Sequence, residues 1–504
     1  MTPLPPGSFR PFGIAAVLTI GWVLLCPESN AAGGQRPPNI VLIFIDDLGW
    51  RDVGFMGNQF IETPTLDRLA RQGLVFDQAY ASAPNCAPTR ACLMSGQYPP
   101  RHGIYTVVDP RQPRGSAWHK LMAAESNAEL SSDVLTMAEA LQAGGYATGF
   151  FGMWNLGRGR TGPVTPGGQG FETVVFPENL GFGKDAYFDD NGHYLSDRLT
   201  DAVLEFISNQ RQQPFFAYLP DHAVHAPFQP KAELLEKYRQ KQASGGDSRD
   251  DPAYAATVEA VDQNVGRIVT HLEQLGLADN TLLIFTSDNG GTRQYTPPLH
   301  GGKGELYEGG IRVPLVMSGA GIARPGRRTA VPTASIDLYP TLLDFAGLEP
   351  PADHRLDGIS LMPLMDGRAA PPSRQLYWHF PCYVGPSPPA SAIREGDWKL
   401  LQFFEDGGRF ELYNLANDPG ETRDLLHEQP AKTASLRRTL TGWQQETRAA
   451  LPAGPNPAFD PAAERPRGRN GGGERGPREN AKKGKKGQNK EQQKKAKRSG
   501  KADN

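Results

Sequence analysis

Apolar runs of strand length alternate along the chain with segments of helical period, and the strongest runs stop on acidic residues. Asn39–Ile45 and Thr281–Ser287 are almost uninterruptedly apolar and rich in β-branched side chains, which predicts central strands of a parallel sheet covered on both faces. Tyr146–Phe151 and Pro214–Leu219 read as further strands, and Gly73–Phe76 leads back towards the Cys86 segment. Between them, Thr63–Ala70 has a cap, a first-turn proline and helical apolar spacing. Asp133–Ala143 (stopped by Gly144-Gly145), Tyr194–Gln210, Pro252–Leu275 and Ser335–Leu343 also read as helices. The alternation predicts an α/β fold, a mainly parallel mixed central sheet flanked by helices. Gly157–Asp190, rich in Gly and Pro, predicts a long loop over the strand ends, of the kind that shapes substrate sites.

After Pro350-Pro351 and Pro371-Pro372 the pattern changes. Ala392–Leu401 and Phe410–Leu415 predict a hairpin turned by Glu405-Asp406-Gly407-Gly408, and Pro430–Thr447 predicts a helix. The expected organisation is a signal peptide over 1–32, a catalytic domain over 37–350, a small α+β subdomain with an antiparallel sheet over 351–450, and a disordered basic tail over 451–504.

Composition sharpens this picture in two places. The chain has 504 residues and a formal net charge of −2. Residues 464–504 hold fifteen Lys and Arg against five Asp and Glu, so a tail of +10 follows a body of −12. The tail reads as solvated; an acidic polysaccharide or a cell envelope is the alternative partner. The first 32 residues carry Arg10, the apolar run Phe12–Cys26 and the small-residue stretch Ser29-Asn30-Ala31, which predicts an exported chain without a membrane span. Export points away from nucleic acid as a partner. Cys26 lies in that segment, where the bulky Leu25 argues against lipidation. Cys92 and Cys382 are the pair open to a disulfide.

The chemistry gathers at predicted strand ends. Asp46-Asp47 closes the first run and Asp288-Asn289 follows the Thr281–Ser287 run. Ligand-binding groups collect at the carboxyl ends of strands in open α/β sheets. Three carboxylates and one amide oxygen suit a hard divalent cation.

The most unusual stretch is Asn85-Cys86-Ala87-Pro88-Thr89-Arg90, a Cys-x-Pro-x-Arg that reads as a thiol on a turn and continues without a break to Ile104. It resembles the signature of the type I sulfatases of the alkaline-phosphatase-like superfamily. Further resemblances follow in the family's order: His225-Ala226-Pro227, the loop around Lys303, Glu308–Pro314, and Asp418-Pro419-Gly420-Glu421. The resemblance covers residues 37–426. It implies that a maturation enzyme oxidises Cys86 to formylglycine, whose hydrated aldehyde attacks the sulfur of a sulfate ester and later expels sulfate through its second hydroxyl. It further implies that Arg90 stabilises this group, that Lys303 holds sulfate, and that His225 protonates the leaving group, with His222 as the other candidate. Asp46, Asp47, Asp288 and Asn289, together with Cys86, are implied to hold calcium, and magnesium fits the ligand types nearly as well. Arg312 is expected to fix the fold through ion pairing. The implied substrate is a sulfated glycan or small aryl sulfate.

The chain departs from the family at Gly152-Met153-Trp154-Asn155-Leu156-Gly157. The family carries Gly-Lys-Trp-His-Leu-Gly there. Met153 removes a sulfate-binding cation, and Asn155, retained as a substrate-binding candidate, replaces a titrating imidazole with an amide. The departure keeps two alternatives open: a phosphodiester or phosphonate monoester hydrolase of the same superfamily, and a catalytically weakened protein that binds sulfated glycans.

Overall fold

The seven residues Asn39–Ile45 are buried without exception, and alternate side chains enter two separate apolar layers. Val41, Ile43 and Ile45 face one layer, and Ile40, Leu42 and Phe44 the other, as the period of a strand requires. The computed structural model describes residues 1–2, 36–108, 115–184, 186–245, 250–368, 371–384 and 387–463. The expected signal peptide beyond Thr2, with Cys26, and the expected tail from residue 464 lie outside the described residues.

In chain order the strands are β1 Asn39–Ile45, β2 Gly73–Phe76, β3 Ala79–Tyr80, β4 Ala147–Phe151, β5 Thr173–Val175, β6 Phe215–Asp221, β7 Thr281–Ser287, β8 Arg312–Val313, β9 Leu315–Gly319, β10 Arg327–Thr329, β11 Thr333–Ala334, β12 Gln375–Phe380, β13 Ala390–Glu395, β14 Trp398–Phe403 and β15 Phe410–Asn414. Eight of them form the central sheet, in the order β10-β2-β9-β7-β1-β6-β4-β5. Its neighbours are parallel except where β9 pairs antiparallel with β7 and β2, so the sheet is mainly parallel and mixed, as expected. The helices Pro64–Gln72, Leu195–Gln210 and Pro252–Gln274 cover one face. Cys86–Ser95, Met137–Ala143 and Leu338–Ala346 cover the other.

The strands β12 to β15 form an antiparallel four-stranded sheet that shares an apolar cluster with the helix Pro430–Glu446 and with Tyr80, Tyr307 and Ile311 of the larger part. Here the expected hairpin differs. Ala392–Leu401 is two strands rather than one arm, because Gly396-Asp397 makes a two-residue turn with Glu395 opposite Trp398. Gly396 has φ +59°, as the first position of a type II′ turn requires. The predicted turn at 405–408 is present and joins β14 to β15.

The reading also missed short elements. Thr173–Val175 lies within the predicted loop and pairs as an edge strand with β4, and Ala232–Ala243 is a helix. The helix predicted over 133–143 begins only at Met137, where Thr136 and Glu139 form a capping box. Cys92 and Cys382 are unpaired buried thiols: Cys92 Sγ is 3.5 Å from His102 Nε2, and Cys382 faces the Ala124 carbonyl. Among the described residues no helix is long and apolar enough to cross a membrane.

Candidate active site

The parallel register sets the site. β1 lies between β6 and β7, so Ile45 is level with Asp221 and Ser287, and the residues that follow all three strands emerge together. These are Asp46-Asp47 after β1, His222 after β6 and Asp288-Asn289 after β7. Asp47 turns the chain with a left-handed φ of +67° and donates its N–H to Asp288 Oδ1 at 3.2 Å. Asn289 Nδ2 donates to Asp47 Oδ1 at 2.8 Å.

Cys86 approaches this cluster from another direction. It is the first residue of the helix Cys86–Ser95 rather than part of a turn, and Pro88 sits in the first helical turn, where a missing N–H costs nothing. Residues four apart share one face of a helix. The Cys-x-Pro-x-Arg spacing therefore delivers thiol and guanidinium to the same place. Cys86 Sγ lies 3.2 Å from Asp46 Oδ1 and 3.6 Å from Asn289 Oδ1. Arg90, 1% exposed, donates Nη2 to Asp46 Oδ2 at 3.1 Å and to Asp288 Oδ2 at 2.9 Å, and Nε to the latter at 3.2 Å. Its Nη1 donates to the Met153 carbonyl.

The remaining predicted residues surround this centre. Lys303 Nζ lies 2.6 Å from Asp47 Oδ1. His225 directs Nε2 to Asp47 Oδ2 at 3.7 Å while Nδ1 lies 2.7 Å from the Ala226 carbonyl, and its side chain is 36% exposed. His222 is buried: Nδ1 is 3.8 Å from Asp46 Oδ2, and neither ring nitrogen makes a hydrogen bond among the described residues. The two imidazoles stack with centroids 5.0 Å apart. Asn155 follows β4 with φ +58° and is half-buried. Its neighbour Met153 is half-buried and belongs to none of the apolar clusters, so it is not the core residue its chemistry would allow. Gly152 makes this turn possible, since a Cβ there would meet the Pro220 carbonyl oxygen at 2.1 Å. Arg312 pairs with Glu308 at 3.4 Å, in the expected fold-stabilising place.

Two contributors carried no sequence signal. The backbone carbonyl of Met153 anchors Arg90, and any residue type supplies a carbonyl. Tyr187, inside the predicted loop, is buried; its hydroxyl donates to the His225 carbonyl and lies 3.2 Å from that of His222, bracing the histidine turn.

Electrostatics favour a cation at the centre. Ligand atoms of Asp46, Asp47, Cys86 and Asp288 all lie within 4.8 Å of one another, in full burial. Burial, and then the charge of Asp46, push Asp288 up to about 7 despite Arg90. Burial would also raise Asp46, but His222, Arg90, His225 and Lys303 together hold it well below the usual carboxylate range. Burial alone would lower Lys303; the charge of Asp47, followed by those of Cys86, Asp46 and Asp288, holds it well above its ordinary value. Burial and the charges of Asp288 and Asp46 push the Cys86 thiol far up. A thiolate there would face three carboxylates, so an unmodified Cys86 is a poor nucleophile. An all-oxygen carboxylate set with unbalanced negative charge fits a hard divalent cation.

Comparison with known proteins agrees with this geometry. Residues 38–348 match the family model described as Sulfatase, and residues 302–448 match one described as N-sulphoglucosamine sulphohydrolase, C-terminal. A sulfatase of Formosa agariphila is 34% identical over 490 residues, covering 81% of this chain and 88% of that protein. The N-acetylgalactosamine-6-sulfatase of Homo sapiens is 29% identical over 488 residues, covering 84% and 88%. The solved structure of Ps i-CgsB superposes with a TM-score of 0.69 at 29% identity, covering 82% of this chain and 94% of that one. These matches favour sulfate-ester hydrolysis over both alternatives left open by Met153 and Asn155. The chain belongs to the sulfatase family and is a sulfuric ester hydrolase.

Proposed function

We propose that this sulfatase acts on sulfated carbohydrates through formylglycine made from Cys86 by a maturation enzyme. The observation that carries the reading is the position of Cys86 Sγ at the meeting point of Asp46 and Asn289, one helical turn from Arg90. An oxygen nucleophile generated there stands beside the cation-binding cluster. The carbohydrate part rests on relatives: the N-acetylgalactosamine-6-sulfatases, and Ps i-CgsB, whose structure has also been solved in complex with k-i-k-neocarrahexaose.

Each residue then has a role its contacts support. Asp46, Asp47, Asp288 and Asn289, with the oxidised Cys86, hold the metal, with calcium favoured over magnesium. A divalent cation bound there supplies Lewis-acid polarisation of the sulfate oxygens. Arg90 is a positioning residue that locks two ligating carboxylates and the Cys86 helix together. Lys303, held cationic, balances charge on the sulfuryl group. The partly exposed His225 is placed to protonate the leaving oxygen, while the buried His222 and the half-buried Asn155 shape the pocket. The first 32 residues direct the chain out of the cytoplasm.

The test is mass spectrometry of the Cys86 peptide, from a host that matures sulfatases, alongside turnover of 4-nitrophenyl sulfate. An aldehyde in place of the thiol, loss of turnover in Cys86→Ala, and loss on chelation with recovery on adding calcium are the expected results. An intact thiol in fully active protein overturns the reading.

A further inference from the structure

Two loops that carry site residues also wall a cavity, and a third backs it. The loop that begins at Asp46-Asp47 continues into Arg51, Asp52 and Gln59. The loop after Asp288-Asn289 supplies Gln294 and Tyr295, and Tyr254 completes the wall from the first turn of the helix Pro252–Gln274. The third loop, after His225, contributes indirectly: Phe228 packs on Tyr254 and Tyr295 with centroids 5.2 and 6.1 Å away. The cavity measures about 370 Å³, inside the roughly 300–1,000 Å³ range of small-molecule sites. Its wall is tied to the acidic cluster through Gly49, two residues after Asp47, whose N–H donates to the lining residue Asp52 at 2.7 Å.

Its chemistry is specific. Tyr254 and Tyr295 stack face to face, with centroids 4.2 Å apart and planes 2° apart. Both rings are fixed before any ligand arrives: the Tyr254 hydroxyl donates to the buried Asp52, and the Tyr295 hydroxyl donates to Asp251 at 2.7 Å. Asp251 is itself fixed, accepting the N–H groups of Ala253 and Tyr254. The rim carries exposed Arg51 and Gln59, and Arg51 forms no side-chain ion pair among the described residues. Tyr254, 3% exposed, backs the half-buried Tyr295, so the ring offered to the cavity is that of Tyr295, and with guanidinium and amide donors beside it this suits the apolar face and hydroxyl edge of a pyranose. Among the described lining residues three carboxyls, Asp52, Asp250 and Asp251, stand against one cation, Arg51, which disfavours a second sulfate.

We propose that this cavity binds an uncharged sugar residue joined to the sulfated one, which makes the physiological substrate a sulfated oligosaccharide rather than an aryl sulfate. The inference rests on the carbohydrate reading above and extends it to a neighbouring subsite. Preorganised Tyr254 and Tyr295 keep the ordering cost of binding low.

The test compares wild type with Tyr295→Ala and with the double variant Arg51→Ala/Gln59→Ala, whose positions are exposed and do not endanger folding. Substrates are 4-nitrophenyl sulfate, k-i-k-neocarrahexaose, and a tetrasaccharide ending in N-acetylgalactosamine 6-sulfate. Both variants are expected to raise KM for the preferred oligosaccharide about tenfold with kcat nearly kept, and to lose clearly less on 4-nitrophenyl sulfate, which has no second ring to place. Equal losses on aryl and oligosaccharide substrates, no change on an oligosaccharide the wild type hydrolyses, or a wild-type preference for the aryl sulfate overturns the subsite. If the wild type hydrolyses none of the three, the substrate reading fails, and saturation-transfer NMR with chemically desulfated neocarrahexaose judges the cavity separately. Binding that Tyr295→Ala abolishes supports it; no binding overturns it.

Discussion

Arg90 does its work by touching carboxylates. Both of its anionic partners lie in the cluster proposed to hold the metal, and it reaches them through Nε and Nη2 of one planar group, which the single ammonium of lysine cannot reproduce. Arg90→Lys is therefore expected to lower metal affinity or activity about 10–100-fold, as loss of an outer-shell partner does. Arg90→Leu, which leaves Asp46 and Asp288 unpaired, should also cost about 3–5 kcal/mol in chemical denaturation. Calcium titration separates the two effects, and a lysine variant with wild-type affinity would refute the positioning role. Position 153 tests the converse. Met153 leaves a half-buried apolar side chain where the Gly-Lys-Trp-His-Leu-Gly motif that this stretch resembles has a cation, so Met153→Lys with Asn155→His should raise turnover of 4-nitrophenyl sulfate about tenfold or more, equivalent to about 1.4 kcal/mol of barrier. Unchanged turnover would mean that other groups already supply this function. Residues with a distinctive type at a distinctive spacing were legible from sequence: the thiol and guanidinium four apart, the paired acids, the histidine before Ala-Pro. Tyr187 was not, because a tyrosine in a Gly- and Pro-rich stretch acquires its role only when the histidine turn packs against it.

At the scale of elements, legibility tracked burial. β1, β6 and β7 are buried on both faces and announce themselves as unbroken apolar runs. β5, three residues long and half-buried at the sheet edge, has no such pattern. The turn at Gly396-Asp397 was signalled by its glycine, but the apolar residues on both sides joined into one apparent arm. Position 399 in β14 shows what a periodic reading leaves out, because Lys399 is fully buried. Its Nζ lies 2.9 Å from both Glu308 and Glu421, and Glu421 Oε2 accepts from Glu308 N. This triad ties the C-terminal sheet to the segment that follows Lys303. Burial and the charge of Glu308, opposed by Lys399, leave Glu421 raised to about 7. Lys399→Met strands two buried carboxyls, and the expected cost is about 3–5 kcal/mol. The measurement is the urea midpoint of the variant against wild type; a change below about 1 kcal/mol would show that the triad behaves like a surface pair.

For the whole molecule, stability against acid is a balance between two sets of buried groups. His379 and His102 are buried; desolvation lowers them to about 4 and about 3. His379 is walled by the rings of Tyr105, Phe404 and Trp443, with Nε2 2.7 Å from the Ala450 carbonyl and Nδ1 2.6 Å from Ser391 Oγ. A depressed folded-state value means the unfolded chain takes up the proton first. The stability each histidine contributes is complete above about 6.5 and drains away as pH falls toward its folded value. Asp52, Asp221 and Asp262 act in the opposite sense: burial raises each to about 6, so their folded forms gain relative stability as pH falls from about 6 toward the ordinary carboxylate range. The wild-type profile between pH 7.5 and 4.5 is thus flatter than either set alone would make it, and removing one histidine should expose the carboxyls. His379→Gln keeps a donor and an acceptor but cannot titrate. Urea denaturation at the two pH values should show wild type losing about 2–3 kcal/mol more than His379→Gln over that interval, the free energy of one proton taken up across about two pH units. Parallel profiles would mean that His379 is solvated in the folded state and that the C-terminal sheet admits water beside it.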